Sequence, residues 1–189
     1  MEHSKEQVIP EVVEEHLESY LLSWRQRQDA LRSPDFTQSD LVALEERMEA
    51  HLDGLIVAGD HAIPLLEEGL AGDEPSAVLA SAYALLLMDR EATMATVLEH
   101  FARAENPSRA GLRDALCLAD VSAVLPQLRD LLSSPHSAVG VAAAKVLAFH
   151  GELDPNSTRL VRFLDDADPA VRAVAWSVAA CVDAGSRRR

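Results

Sequence analysis

The chain has 189 residues, of which 48% are hydrophobic and 25% charged, and its formal net charge at pH 7 is −14. This is the composition of a folded protein, because disordered chains of high charge contain fewer apolar residues. Most of the charge lies in residues 1–75, with 18 Asp and Glu against 5 Lys and Arg, whereas residues 76–189 have 13 against 12. Neither part has the basic surplus that binds phosphate backbones, so we expect no nucleic-acid partner.

The start of the chain and its cysteines indicate a cytoplasmic protein. The first residues, MEHSKEQ, lack the basic and apolar regions of a secretory signal. No apolar run approaches the ~20 residues that span a bilayer. Cys117 and Cys181 form no CxxC motif and are too few for a disulfide framework. We therefore expect free thiols and no membrane contact.

Residues 1–59 predict an acidic helical hairpin. The first helix begins at Pro10 and carries Tyr20 and Trp24 at helical spacing, and the second runs from about Ser39 to Gly59. Tyr20 and Trp24 are either a binding anchor or, as we expect, core residues. The glutamates that alternate with the apolar residues of the first helix are Glu11, Glu14, Glu15 and Glu18. They are expected to face solvent and to favour a partner with a basic surface.

Residues 60–185 repeat with a period of 31 or 32 residues. The clearest columns are Leu66, Val97, Leu128 and Leu160, and, four residues later, Leu70, Phe101, Leu132 and Leu164. Residues four apart lie on one face of a helix. A period of this length holds two helices and two turns, and one such hairpin cannot bury its apolar face alone. The spacing therefore predicts four stacked helical hairpins.

Each predicted hairpin has a proline-containing turn before its second helix. The prolines are Pro75, Pro107, Pro135 and Pro169. We expect an Asp, Asn or Ser before each proline to cap the second helix, and the proline to begin it. Aligning the second helices at their starts gives intervals of 32, 29 and 32 residues. This alignment places Asp114 in line with alanines of the other helices, unless the helix that carries Asp114 is shifted by one residue. The many alanines of the second helices allow these helices to approach closely. The last of the second helices is expected to end near Val182.

The stretch LDDADPAVRAVA, at 164–175, resembles the second half of a HEAT repeat, particularly the bacterial HEAT-like type of phycobilin lyase relatives. The resemblance covers about residues 60–182; the third unit departs from it, with Gly140 in place of the arginine. It implies an all-α fold, a right-handed α-α superhelix, with residues 1–59 as a cap and 186–189 as a basic tail.

The N-terminal stretches VVEEH (12–16) and EERMEAHLDGLIVAG (45–59) resemble an uncharacterised bacterial family with HEAT-like repeats. Some of its relatives are encoded near type VI secretion genes. This resemblance implies an accessory, chaperone or immunity protein.

The sequence contains none of the short motifs that carry common enzyme chemistry. It has no HExxH, no G-x-S-x-G, no phosphate-binding glycine loop and no His-Glu pair of the type that binds iron in HEAT-type hydroxylases. We therefore expect no metal, no cofactor and no catalysis. The alternative is a HEAT-type enzyme, bilin-lyase-like or DNA-glycosylase-like, that acts on a small ligand or base.

Recognition of another protein is then the leading hypothesis. In stacked hairpins the second helices line the concave face and present an extended surface. The candidate contacts on that face are Arg109, Arg113, Lys145, Arg172 and Trp176. Each of two candidates has an alternative role. Arg172 could instead bond an acidic turn residue such as Asp166 or Asp168 and tie neighbouring repeats together, and Trp176 could instead fill the core of the last repeat. The sequence also leaves open a homodimer through the C-terminal repeat.

Overall fold

A computed structural model describes residues 9–186, with side chains described through residue 182. The first two helices, α1 (Pro10–Ala30) and α2 (Gln38–Ala58), pack against each other as a long hairpin. Pro10 occupies the first turn of α1, where no amide donor is needed. Thr37 and Asp40 form a reciprocal capping box at the start of α2. Gly59 ends α2 with a φ of 54°, a conformation that favours glycine.

The hairpin is held by an apolar seam with an ion pair beside it. Tyr20 and Trp24 are buried, so the prediction that they are core residues is confirmed. The Arg27 guanidinium lies 2.7 Å from the Glu45 carboxylate and links the two helices. The buried residues of α2 are Leu44, Met48, Leu52 and Leu55. The expected acidic face is also present, because all four glutamates of α1 named above are exposed.

Within the described residues, eight further α-helices follow in four hairpins. Their bounds are α3 (Ile63–Leu70), α4 (Pro75–Leu87), α5 (Glu91–Arg103), α6 (Ser108–Leu118), α7 (Leu125–Leu132), α8 (Ser137–Phe149), α9 (Thr158–Leu164) and α10 (Pro169–Ser186). Short 3₁₀ turns precede α3 and α7. The described residues are all helix, turn or irregular, with no strand. None of the helices in the described part of the chain is long and apolar enough to cross a membrane.

The predicted proline starts are right at two of the four turns. Pro75 begins α4, with Glu74 as its cap, and Pro169 begins α10, where the Asp168 carboxylate accepts from the amide of residue 170. α6 and α8 begin after their prolines, without a side-chain cap. At α6 the Glu105 carbonyl accepts from the Arg109 amide in the first turn and takes the place of a side-chain cap. At α8 the Ser134 hydroxyl accepts from the amide of His136, the residue that precedes the helix, so this bond stabilises the turn and is not a cap. α10 also runs past the predicted end at Val182, since no proline follows to stop it.

The predicted apolar columns form the core of the four hairpins. Every member of the first column is buried; in the second, Leu70 and Phe101 are buried and the other two are half-buried. The second helices pack in the order α4, α6, α8 and α10, and α1 packs on the free side of α4. Trp24 of α1 meets Tyr83 of α4 edge to face, with ring centroids 6.0 Å apart. Neighbouring helices thus share one continuous core.

Close approach of the second helices depends on small residues. Gly111 of α6 lies against the first turn of α4, where a β-carbon would come within 3.1 Å of the Leu79 amide nitrogen and closer still to the Pro75 carbonyl. Gly140 of α8 lies under the ring of Phe163, which would stand 2.8 Å from an added β-carbon. Glycine at position 140, where the HEAT-like pattern has arginine, therefore serves packing against α9.

Candidate interaction surface

The second helices α4, α6 and α8 run parallel. Next to the turns that precede α4 and α6, one groove of about 540 Å³ is lined by Asp73 from the first turn and Asn106 from the second. At the opposite ends, a groove of about 300 Å³ is lined by Leu87 and Asp120. The end of α8 meets the end of α6, because the His150 Nε2 lies 2.9 Å from the Leu116 carbonyl oxygen and donates to it. Equivalent positions of successive second helices are therefore neighbours.

The repeat interval of the second helices is 31 residues, which corrects the alignment made from their starts. Ser81, Leu112 and Ala143 are all buried, at intervals of 31. The start-based alignment failed because α4, α6 and α8 begin at different points of the repeat. In the correct alignment Asp114 lies in line with residues that are not fully buried. That line is Tyr83, Asp114, Lys145 and Trp176, which are half-buried or exposed.

Two of the predicted contact residues, Arg109 and Arg172, bind the turns of their own hairpins. The Arg109 guanidinium donates to the Ala104 carbonyl, and burial lowers the pKa of this side chain. The Arg172 guanidinium donates to the carbonyls of Asp166 and Ala167 at 2.7 and 2.9 Å. Arg172 thus contacts backbone rather than a carboxylate, and the tie stays inside one hairpin. Both arginines stabilise the entry into a second helix.

Arg113 and Lys145 are partly engaged by neighbouring groups. The Arg113 guanidinium bonds the Asp114 carboxylate at 2.7–2.8 Å, so the two charges largely cancel. The Lys145 ammonium reaches α10, where it lies 3.3 Å from the Ser177 carbonyl oxygen and 3.0 Å from the Cys181 sulfur. Lys145 is half-buried and joins α8 to α10.

Trp176 stands apart from the other four candidates because its side chain is 65% exposed. The alternative that it fills the core of the last hairpin is wrong: Val171, Ala175 and Val178 take the buried positions of α10. Trp24 is buried and Trp176 is exposed because the two tryptophans lie on different faces of their helices. An exposed tryptophan is uncommon on a surface without a partner.

Three exposed apolar residues on the same helices were missed by sequence reasoning. Leu87, Leu118 and Phe149 are the last residues of α4, α6 and α8, and they are 38%, 51% and 55% exposed. They also follow the interval of 31 residues. We call these three residues the apolar row. An alignment of the second helices at 31-residue intervals identifies the row from the sequence. Without that alignment, each of the three residues is indistinguishable from an ordinary buried residue at the end of an apolar helix.

The chemistry available around this surface is limited. Burial raises the pKa of the Cys117 thiol to about 12, with a smaller contribution from the Asp114 carboxylate, so Cys117 stays protonated. Both cysteines are unbridged. Among the residues that the structure describes, no group of three or more His, Cys, Asp or Glu could hold a metal ion.

Arg109, Arg113 and Asp168 line a cavity between α6, α8 and α10. Its volume is about 30 Å³, room for little more than a water molecule. The predicted basic tail lies outside the described residues except for Ser186, the last residue of α10.

Comparison of the chain with protein-family models, curated proteins and solved structures found no match. The surface must therefore be interpreted from its own geometry.

Proposed function

We propose that the chain is a non-catalytic adaptor that binds another protein through the exposed side of α4, α6, α8 and α10. The observation that carries this proposal is an exposed tryptophan, Trp176, on the last of four packed second helices, in line with the half-buried Asp114 and Lys145 at intervals of 31 residues. Tryptophan and arginine dominate the energetics of many protein interfaces. A surface of this kind is extended and shallow, which suits a polypeptide better than a small molecule.

The HEAT-like pattern at 164–175 supports a right-handed superhelical path for the four hairpins, with the exposed side of the second helices concave. The hairpin of α1 and α2 then covers one end of the stack through its contact with α4. The resemblance of this hairpin to proteins encoded near type VI secretion genes supports an accessory or chaperone role.

The negative charge of the hairpin supports a partner with a basic surface. The glutamates of α1 are exposed, and residues 1–75 hold nearly all of the net charge. Such a field accelerates encounter with a positively charged protein more than it strengthens the final complex. The partner is thus expected to be attracted by α1 and retained by the second helices.

Affinity capture with two matched variants tests this function. The tagged chain, its Trp176→Ala variant and a Val57→Ala control are incubated with lysate of the source cells, and retained proteins are identified by mass spectrometry. Val57 is a suitable control because it is an exposed apolar residue on α2. We expect proteins that the wild type and the control retain and the Trp176 variant loses. Retention of no protein, or of the same set by all three chains, contradicts the proposal.

A further inference from the structure

The apolar row of Leu87, Leu118 and Phe149 has a regular spacing that restricts what can cover it. Helices packed side by side are separated by about 8–10 Å, so successive residues of the row are on the order of 10 Å apart. Seven residues of an α-helix advance ~10.5 Å and return to nearly the same face. In an extended strand, a step of ~10 Å takes three residues and ends on the opposite face. The row thus matches a helix lying across α4, α6 and α8.

A polyproline helix also repeats at about 9 Å, but its binding grooves are lined by aromatic side chains. The row contains two leucines and one phenylalanine, which are the partners of an aliphatic helix face. The row therefore favours an amphipathic α-helix with large apolar residues at heptad spacing.

The charges beside the row are acidic. Asp89, Asp120 and Glu152 are all exposed and follow the ends of α4, α6 and α8 within three residues. The same ends carry the negative pole of each helix dipole. Arg90 is paired with the Asp60 carboxylate, and Glu152 is itself paired with Arg129 at 2.6 Å, so the negative charge beside the row comes mainly from Asp89 and Asp120. Asp89 forms no ion pair with any residue that the structure describes.

We propose that the apolar row binds the apolar face of a cationic amphipathic helix that belongs to the partner protein. The inference rests on the proposed function and specifies the chemistry of the partner. Leucine-sized side chains of the bound helix contact Leu87, Leu118 and Phe149. Lysines or arginines beside them meet the carboxylates of Asp89 and Asp120. Trp176 lies on α10, one helix further along the stack and in line with Lys145, about one helical turn from the level of the row, and it extends the contact surface.

The direct test measures binding of a synthetic peptide by fluorescence anisotropy. The probe is a labelled helical peptide of about 18 residues, long enough for two heptads, with leucine at heptad spacing and lysine on its flanks. Peptides with the same composition in scrambled order, with glutamate in place of lysine, and with a proline-rich backbone serve as comparisons. We expect the wild-type chain to bind the helical cationic peptide at least about tenfold more tightly than any of the three.

Variants of the row locate the binding site. Leu118→Ser and Phe149→Ser are each expected to weaken binding of the cationic peptide by roughly tenfold. Val57→Ser and Val161→Ser are matched controls, since these valines are 82% and 66% exposed on α2 and α9, and their binding should stay within about twofold of wild type. Because all four side chains are exposed, the variants should fold, and circular dichroism verifies this.

Several results would overturn the inference, and the first three concern the peptide and the chain itself. They are equal binding of the helical and scrambled peptides, unchanged binding by both row variants, and a homodimer in sedimentation velocity that Phe149→Ser dissociates. Sedimentation with anionic phosphatidylglycerol vesicles that depends on Phe149 would also overturn it, since the row would then bind lipid. If affinity capture yields a partner that needs Trp176 but not Leu118 or Phe149, the inference fails while the proposed function stands. If capture yields no partner, the proposed function fails.

Discussion

Gly111→Ala tests the packing on which the exposed surface depends. Its β-carbon would lie 3.1 Å from the Leu79 amide nitrogen, 3.2 Å from the Val78 β-carbon and nearer still to the Pro75 carbonyl oxygen. Carbon–oxygen contacts normally stay beyond about 3.3 Å. The obstacles are mostly backbone atoms of α4, so they cannot rotate away. The helices must separate, or the first turn of α4 must distort.

The expected effect combines two opposing terms. Overpacking of a close contact costs about 1–3 kcal/mol, and replacing a helical glycine by alanine recovers about 1 kcal/mol of helix propensity. Because these obstacles are mostly backbone atoms, the overpacking cost should lie in the upper part of its range, which leaves a net loss of about 1–2 kcal/mol in the free energy of unfolding. For a chain of this size that is a decrease of about 2–8 °C in Tm.

Urea and thermal unfolding followed by far-UV circular dichroism measure this loss. Gly72→Ala is the matched control: it lies in the turn before α4, and its added β-carbon would meet only the Gly69 carbonyl, at 3.4 Å. Alanine there should leave stability unchanged or raise it by up to about 1 kcal/mol. A Gly111→Ala chain as stable as wild type would refute the close approach of α4 and α6.

Three other predictions concern a thiol, a hydroxyl and the acidic hairpin. Between about pH 7 and 9, a thiol reagent should modify Cys181 and leave Cys117 intact until urea is added, because the raised pKa keeps the buried Cys117 thiol protonated. Mass spectrometry of peptides detects the label, and rapid labelling of Cys117 in the native chain would refute this prediction. Ser81→Ala should raise the free energy of unfolding by about 1 kcal/mol in a urea titration, since the Ser81 hydroxyl is buried without a partner among the described residues; a loss of stability would contradict this. Replacing four glutamates with glutamine should slow association with the captured partner and flatten its salt dependence in stopped-flow measurements, and an unchanged rate would count against the proposed steering. These glutamates are Glu11, Glu14, Glu15 and Glu18.

Much of the helical architecture could be predicted from the sequence because its signals are local. Pro10 and Gly59 mark the ends of the first hairpin, and both act as expected. The column that begins with Leu66 is buried in every hairpin, because residues repeated at one helical position must face the same core. All-helical structure with neighbouring helices in contact follows from these patterns. The superhelical path stays a prediction.

The candidate surface was less predictable because it depends on how helices align. Helix starts are set by local caps, and these differ between the turns, so an alignment by starts misplaced Asp114. The roles of Arg109 and Arg172 depend on carbonyl groups of turns whose backbone geometry the sequence does not specify. The apolar row became visible only when burial showed which positions of α4, α6 and α8 are equivalent.

Site-specific photo-crosslinking inside the source cells is the most direct test of the adaptor function. A photoreactive benzoylphenylalanine replaces Trp176 in one chain, Leu118 in a second and Val57 in a control. The proposed function predicts a discrete adduct with a second polypeptide from position 176 and none from position 57, and the apolar-row inference predicts the same adduct from position 118. Adducts from position 57 alone, or no adduct from either position on the second helices, would contradict it.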